Sequence, residues 1–177
     1  MRKALLALLL AFLQICLLRR RPQDIPASRE LLYLSLLTYT LASIGLAAGA
    51  QSIDAATLAG VAETLVLAAL VYALLYFRGL AQRWPQTMTA LAGAGTIFSV
   101  LSVPLFLALS PGTDALPGRT AIYLLIIVLL IWNVAVVAHI LRHALSTSYG
   151  TGLIFALALI WLIAVALAPL LQEQAFS

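Results

Sequence analysis

Five long apolar runs, separated by short connections, constrain the fold of this chain more than any other feature. The runs occupy 31–50, 57–77, 87–109, 121–141 and 153–171. Each contains about 19 to 23 residues, which as a helix at 1.5 Å per residue matches a hydrocarbon core of about 30 Å. Backbone groups find no water to bond with in lipid, so each run is expected to be helical. The sequence therefore predicts an all-α integral membrane protein with a bundle of five transmembrane helices.

Composition supports this prediction and excludes several other classes. Of the 177 residues, 64% are hydrophobic and 9% are charged, whereas soluble domains are about half apolar and a quarter charged. The excess of apolar residues excludes a soluble enzyme, a disordered chain and a secreted disulfide scaffold. The single cysteine, Cys16, cannot form an internal disulfide. The spans leave little chain for anything else, so 1–177 is expected to be one membrane domain.

A shorter apolar run, 4–18, precedes the five spans. It has basic residues on both sides, Arg2 and Lys3 before it and Arg19–Arg21 after it. Its 15 residues reach only about 22 Å as a helix. No small-x-small cleavage site precedes the arginines, so a cleaved signal peptide is not expected. The run is predicted to be an interfacial or half-embedded helix, with a sixth crossing as the alternative.

The connections indicate an orientation. Those at 19–30, 78–86 and 142–152 together hold seven Lys and Arg, whereas the connections on the opposite side hold only Arg119. The positive-inside rule places the first group in the cytoplasm, with the N-terminus inside and the C-terminus outside. Arg outnumbers Lys nine to one, a usage typical of GC-rich bacterial coding. The expected location is therefore a bacterial cytoplasmic membrane.

A basic segment that contains two prolines, residues 19–29, joins the first run to the first span. We call it the elbow. Pro22 and Pro26 cannot continue a helix, and Ser28 is a good N-cap for the span that follows. The elbow carries five charged residues predicted to contact anionic headgroups or a protein partner: Arg19, Arg20, Arg21, Asp24 and Arg29.

The Pro-x-Asp-x-Pro-x-Ser elbow at 22–28 and the five closely spaced spans resemble the bacterial branch of the Yip-domain family. The resemblance implies a five-span protein with a cytoplasmic N-terminal segment and an external C-terminus. Eukaryotic members engage small GTPases and help to shape membranes. The Tyr-Gly-Pro motif of those members is absent here, so the resemblance implies no GTPase partner.

Three polar side chains within the spans are candidates for an in-membrane site: Glu63, Asn133 and His139. Glu63 is either a proton or cation site or a partner of Arg119, or else it snorkels to the headgroups. Asn133 is expected to bond a neighbouring helix, with a substrate-binding role as the alternative. His139 and His143 share a helix face, a spacing that suits a metal or haem, but no third ligand lies nearby in sequence, so lipid anchoring is the simpler interpretation.

Small residues predict where helices pack. Gly45 and Gly49 form a GxxxG pair in the first span, and Gly95 and Ser99 repeat the spacing in the third. Packing within the chain and packing against a second subunit are both compatible with them. Pro104, inside the third span, is expected to kink that helix.

No catalytic motif is present: there is no Ser-His-Asp set, no HExxH and no Gly-rich phosphate loop.

The leading prediction is a non-enzymatic scaffold or accessory subunit without a cofactor. Its partners would be the bilayer and anionic cytoplasmic headgroups, with a membrane-protein partner or a second copy as alternatives, and no nucleic acid. The second hypothesis is a small transporter or channel subunit that uses Glu63 and Asn133. The third is a haem or quinone anchor that uses the two histidines. A cavity reaching Glu63 or Asn133 would favour transport, and a dry bundle would favour the scaffold.

Overall fold

A computed structural model describes the backbone of residues 2–109 and 118–175, and the side chains of 8–109 and 118–169. Every regular element in these residues is helical. The helices are α1 (Arg2–Cys16), α2 (Arg29–Ala47), α3 (Ile53–Phe77), α4 (Trp84–Leu107), α5 (Arg119–Ala144) and α6 (Tyr149–Ala175), and short 3-10 turns at Pro22–Asp24 and Ala81–Arg83 precede α2 and α4. Most of the predicted connection between 109 and 121 lies outside the described residues.

Within the described residues, five helices, α2 to α6, are long and apolar enough to cross a membrane. The predicted fold class is confirmed, and the chain is an all-α multi-pass membrane protein. The helices α2 and α3 begin before the apolar runs because serines cap them. The Ser28 hydroxyl accepts a hydrogen bond from the amide of Leu31, as predicted, and Ser52 accepts one from Ala55.

The five spanning helices form a closed ring. Neighbours pack against one another in the order α2, α4, α5, α6, α3, and α3 closes the ring on α2. We call this arrangement the helix ring. Because the spatial order differs from the chain order, the ring brings together the middle parts of helices that are far apart in sequence.

The two halves of the helix ring are packed differently. The elbow end holds residues 19–28 and the connections from α3 to α4 and from α5 to α6, and the far end holds the connection 48–52. Near the elbow end, every residue of α4 from 87 to 94 is buried, whereas farther along α4 Phe98 is the last buried residue described. On α5 the described buried residues all lie between Val136 and Ala144. On α4 and α5, burial is therefore concentrated at the elbow end, whereas α2 and α3 remain in close contact towards the far end, where a Cβ at Gly60 would lie 2.6 Å from Cγ1 of Ile44.

Helix α1 lies outside the helix ring, against α4 and α5. The Trp132 indole donates a hydrogen bond to the carbonyl of Cys16, 2.8 Å away, and the Phe12 ring occupies the space where a side chain at Gly93 would extend. Because Trp132 lies midway along α5, the C-terminal end of α1 sits beside the middle of the ring. Leu8 and Leu9, nearer the N-terminus of α1, line a cavity with Thr38 and Thr96, and the choice between an interfacial or half-embedded helix and a sixth crossing stays a prediction.

Candidate functional site

A hydrogen bond between two neighbouring helices forms the centre of the site. The hydroxyl of Tyr39 on α2 donates to Oε1 of Glu63 on α3 over 2.7 Å. One residue further along both helices, the hydroxyls of Thr40 and Thr64 lie 2.8 Å apart. The short connection 48–52 makes α2 and α3 adjacent and antiparallel. Residues at similar distances along the chain from this connection, such as Tyr39 and Glu63, therefore lie side by side. Tyr39 is buried and Glu63 half-buried.

Gly95 on α4 positions the Tyr39 ring. A Cβ built at Gly95 would lie 2.5 Å from Cε2 of Tyr39, closer than side chains can approach. Only glycine lets the ring lie flat against α4, with its hydroxyl within reach of Glu63. The predicted role of Gly95 as a close-packing residue agrees with this contact, and the partner is a tyrosine within the same chain.

Asn133 on α5 completes the polar cluster. It lines a cavity of about 200 Å³, the central cavity, together with Tyr39, Glu63 and Gly95. All five helices of the ring contribute to the wall, and the other lining residues are apolar. At 1.5 Å per residue, the four residues lie about 15 to 21 Å along their helices from the elbow end, near the middle of a bilayer. We call Tyr39, Glu63 and Asn133 the polar cluster.

Two further cavities lie farther along the helices towards the far end. The adjacent cavity, about 380 Å³, is also lined by the polar cluster and additionally by Ser99 and Phe106. The end cavity, about 520 Å³, shares Phe106 with it and is bordered by the connection 48–52. Within the end cavity, Oε1 of Gln51 is buried and has no hydrogen-bond partner among the described residues.

The elbow end closes this row of cavities. Between the central cavity and the elbow, the ring interior is filled by buried apolar side chains, among them Val71, Leu75, Met88 and Ile140, none of which exposes any surface. Among the described residues, the row of cavities is thus blocked at the elbow end.

The structure brings together two of the predicted site residues and separates the third. Glu63 and Asn133 line the same two cavities. The partner of Glu63 is Tyr39. Asn133, expected to bond a neighbouring helix, has no hydrogen-bond partner among the described residues and instead lines the cavities. His139 lies elsewhere, next to the elbow.

His139 secures the elbow to α5. Its ring is 3% exposed, and Nε2–H donates to the carbonyl of Arg20 over 3.0 Å. The ring packs edge-on against His143, with centroids 4.7 Å apart. Among the described residues, no group of three or more His, Cys, Asp or Glu is placed to hold a metal ion. His139 thus contacts the elbow through one hydrogen bond and contacts His143 through its ring.

Further hydrogen bonds hold the elbow against the ring. The Gln23 amide donates to the carbonyl of His143 over 2.6 Å, and the Gln86 amide donates to that of Ile25 over 3.0 Å. Asp24 accepts from the backbone amide of Arg21, so this acid closes the turn. Three of the basic residues, Arg19, Arg21 and Arg29, are exposed, and Arg20 is half-buried. The elbow is a fixed structure with its cationic side chains on the surface.

Among the described residues, Gly45 and Gly49 make no close contact between helices, so their packing role stays a prediction. A Cβ at Gly45 would meet no atom within 4 Å, and one at Gly49 would meet only its own helix. Both glycines line the end cavity instead. A close helix contact occurs at Gly152, where a Cβ would lie 2.6 Å from the carbonyl oxygen of Ala138 on α5. Ser99, the other predicted packing residue, lines the adjacent cavity.

Sequence reasoning missed Tyr39, the donor to Glu63. A signal was available: Tyr39 lies in the middle of a span, whereas most tyrosines of membrane proteins lie at the interfaces.

Comparisons of the chain with protein-family models, with curated proteins and with solved structures found no match.

Proposed function

We propose that this protein binds a small solute inside the helix ring, as the solute-binding unit of a membrane transporter. The observation that carries the proposal is the row of three cavities from the far end to the polar cluster. Transporters commonly bind their substrates near the bilayer midplane, and polar groups at that depth are costly unless they serve a function. In the expected orientation, the elbow end faces the bacterial cytoplasm and the end cavity lies on the outer side.

Cysteine labelling tests whether water and solutes reach the adjacent cavity. In a Cys16→Ser background, Ser99→Cys places a thiol in the cavity wall, and Thr89→Cys places one in the close-packed half of the same helix. Thr89 is 1% exposed, which makes it a matched control. A membrane-impermeant maleimide added to intact cells should label Ser99→Cys and leave Thr89→Cys unlabelled. An unreactive Ser99→Cys would refute the proposal, because maleimides require a hydrated thiolate.

A second candidate function is a scaffold or accessory subunit that contacts anionic lipid or a membrane protein, in keeping with the Yip-domain resemblance. The fixed elbow, with Arg19, Arg21 and Arg29 exposed on its surface, favours it. Each basic residue near an anionic surface contributes about 1 kcal/mol of attraction. A protein partner or a second copy recovered at fixed stoichiometry after mild detergent extraction would support this candidate, whereas a protein that remains alone would oppose it.

A further inference from the structure

We infer that the solute is an organic ammonium ion with an apolar body, bound with its charged group beside Glu63. The inference rests on the proposed function and specifies its substrate class. It starts from the chemical groups that line the central and adjacent cavities.

The charged side chains that line these cavities favour a cationic solute. Glu63 supplies the one carboxylate among the described lining residues, and no Lys or Arg lines either cavity. The Tyr39 hydroxyl donates a hydrogen bond to this carboxylate. A charge at mid-membrane depth needs a counter-charge. The carboxylate of Glu63 would repel an anionic solute, whereas a cationic solute supplies the positive charge that the described lining residues lack.

The ligand atoms on offer suit an ammonium group better than a metal ion. Calcium takes six to eight oxygen ligands, and magnesium requires near-octahedral oxygen coordination. The polar cluster offers one carboxylate, one amide and one phenol within apolar walls. An ammonium group needs only a few acceptors, which the carboxylate of Glu63 and the amide oxygen of Asn133 provide. The Asn133 amide has no protein partner among the described residues, so it is available for this bond.

The shape of the cavities accounts for the apolar body. The central cavity of about 200 Å³ is small for a whole ligand, whereas the adjacent one, about 380 Å³, falls within the usual range for ligand sites. Both contain Glu63 in their walls, so the ammonium group can lie at the carboxylate while its substituent extends towards Phe98 and Phe106 in the adjacent cavity.

A matched pair of probes tests the inference on the full-length protein in nanodiscs. The cation is 4-phenylbutylamine and its neutral counterpart is 4-phenylbutanol, and affinity is measured by calorimetry at pH 7.5. The amine is expected to bind at least tenfold more tightly than the alcohol. Glu63→Gln, which retains an acceptor for Tyr39, should abolish the preference. Asp54→Asn removes the same charge at the exposed start of α3 and should preserve it.

A second measurement keeps the result independent of variant folding. The amine should slow maleimide labelling of Ser99→Cys, and the alcohol should slow it far less. Equal affinity for the two probes, no binding of either, or a preference that survives Glu63→Gln would each overturn the ammonium assignment. In any of those cases, labelling of Ser99→Cys from the far end would leave the proposed solute site standing, whereas an unreactive cysteine would remove both.

Discussion

Removing one hydroxyl tests the interaction at the centre of the site. Tyr39→Phe deletes the donor to Glu63 but keeps the ring that packs against Gly95, so the change isolates the 2.7 Å hydrogen bond. Hydrogen bonds to charged groups contribute about 1.5 to 3 kcal/mol in soluble proteins. Bonds between membrane helices average about 0.6 and reach about 1.7 kcal/mol. A short bond to a carboxylate inside the ring belongs at the upper end of the membrane range, so we expect a loss of about 1.5 kcal/mol.

The free energy of unfolding in bicelles, measured by steric trapping, provides the assay. Tyr33→Phe on the same helix is the control, because Tyr33 is 66% exposed and its change should cost less than about 0.5 kcal/mol. In a Glu63→Gln background the cost of Tyr39→Phe should fall to about 0.6 kcal/mol, since the acceptor is then neutral. If Tyr39→Phe costs no more than Tyr33→Phe, the hydrogen bond does not hold α2 to α3 and the reasoning is refuted.

Four further predictions follow from the contacts described above. Gly95→Ala should displace the Tyr39 ring and weaken 4-phenylbutylamine binding more than about tenfold, a loss of about 1.4 kcal/mol; unchanged binding would contradict this. Gly45→Ala, where no described atom lies within 4 Å, should raise stability by about 0.5 to 1 kcal/mol in thermal melts; a loss of stability would contradict this. Cys16 is 1% exposed, so at pH 7.5 its thiol should react with N-ethylmaleimide more than about 100-fold more slowly than in denatured protein. Rapid labelling of the folded protein would show that α1 is not packed on the ring. Replacing Arg19, Arg21 and Arg29 together by Gln should lower the amount of anionic lipid that co-purifies with the protein, as measured by mass spectrometry. Arg119→Gln at the opposite end should leave that amount unchanged. Equal lipid retention in both variants would remove the support for lipid contact by the elbow.

Much of the fold follows from the sequence because lipid imposes simple rules. The apolar runs predict the spans, and Ser28 predicts the start of α2. The order of helices in the ring could not be predicted, since helices such as α5 are apolar on all sides and their sequence does not say which face meets a neighbour. The ring order decides which polar residues meet.

The candidate site was predictable only in part for the same reason. Glu63 and Asn133 are conspicuous because charge and amide groups are rare in spans, but their proximity depends on helices that are distant in the chain. Gly45 and Gly95 look alike in sequence, and only the ring places a tyrosine against Gly95 and empty space beside Gly45. Small-residue spacing marks where close approach is allowed and does not say where it happens.

The most direct test of the account is a labelling profile along α4, from Phe106 at the far end to Thr89 near the elbow. Single cysteines at Phe106, Ser102, Ser99, Ala92 and Thr89 would be exposed to an impermeant maleimide from each side of the membrane. The account predicts labelling of the first three from the far side, none of these from the elbow side, and no labelling of the last two. Uniformly unreactive cysteines, or labelling of Ser99→Cys from the elbow side, would contradict a solute site that opens only at the far end.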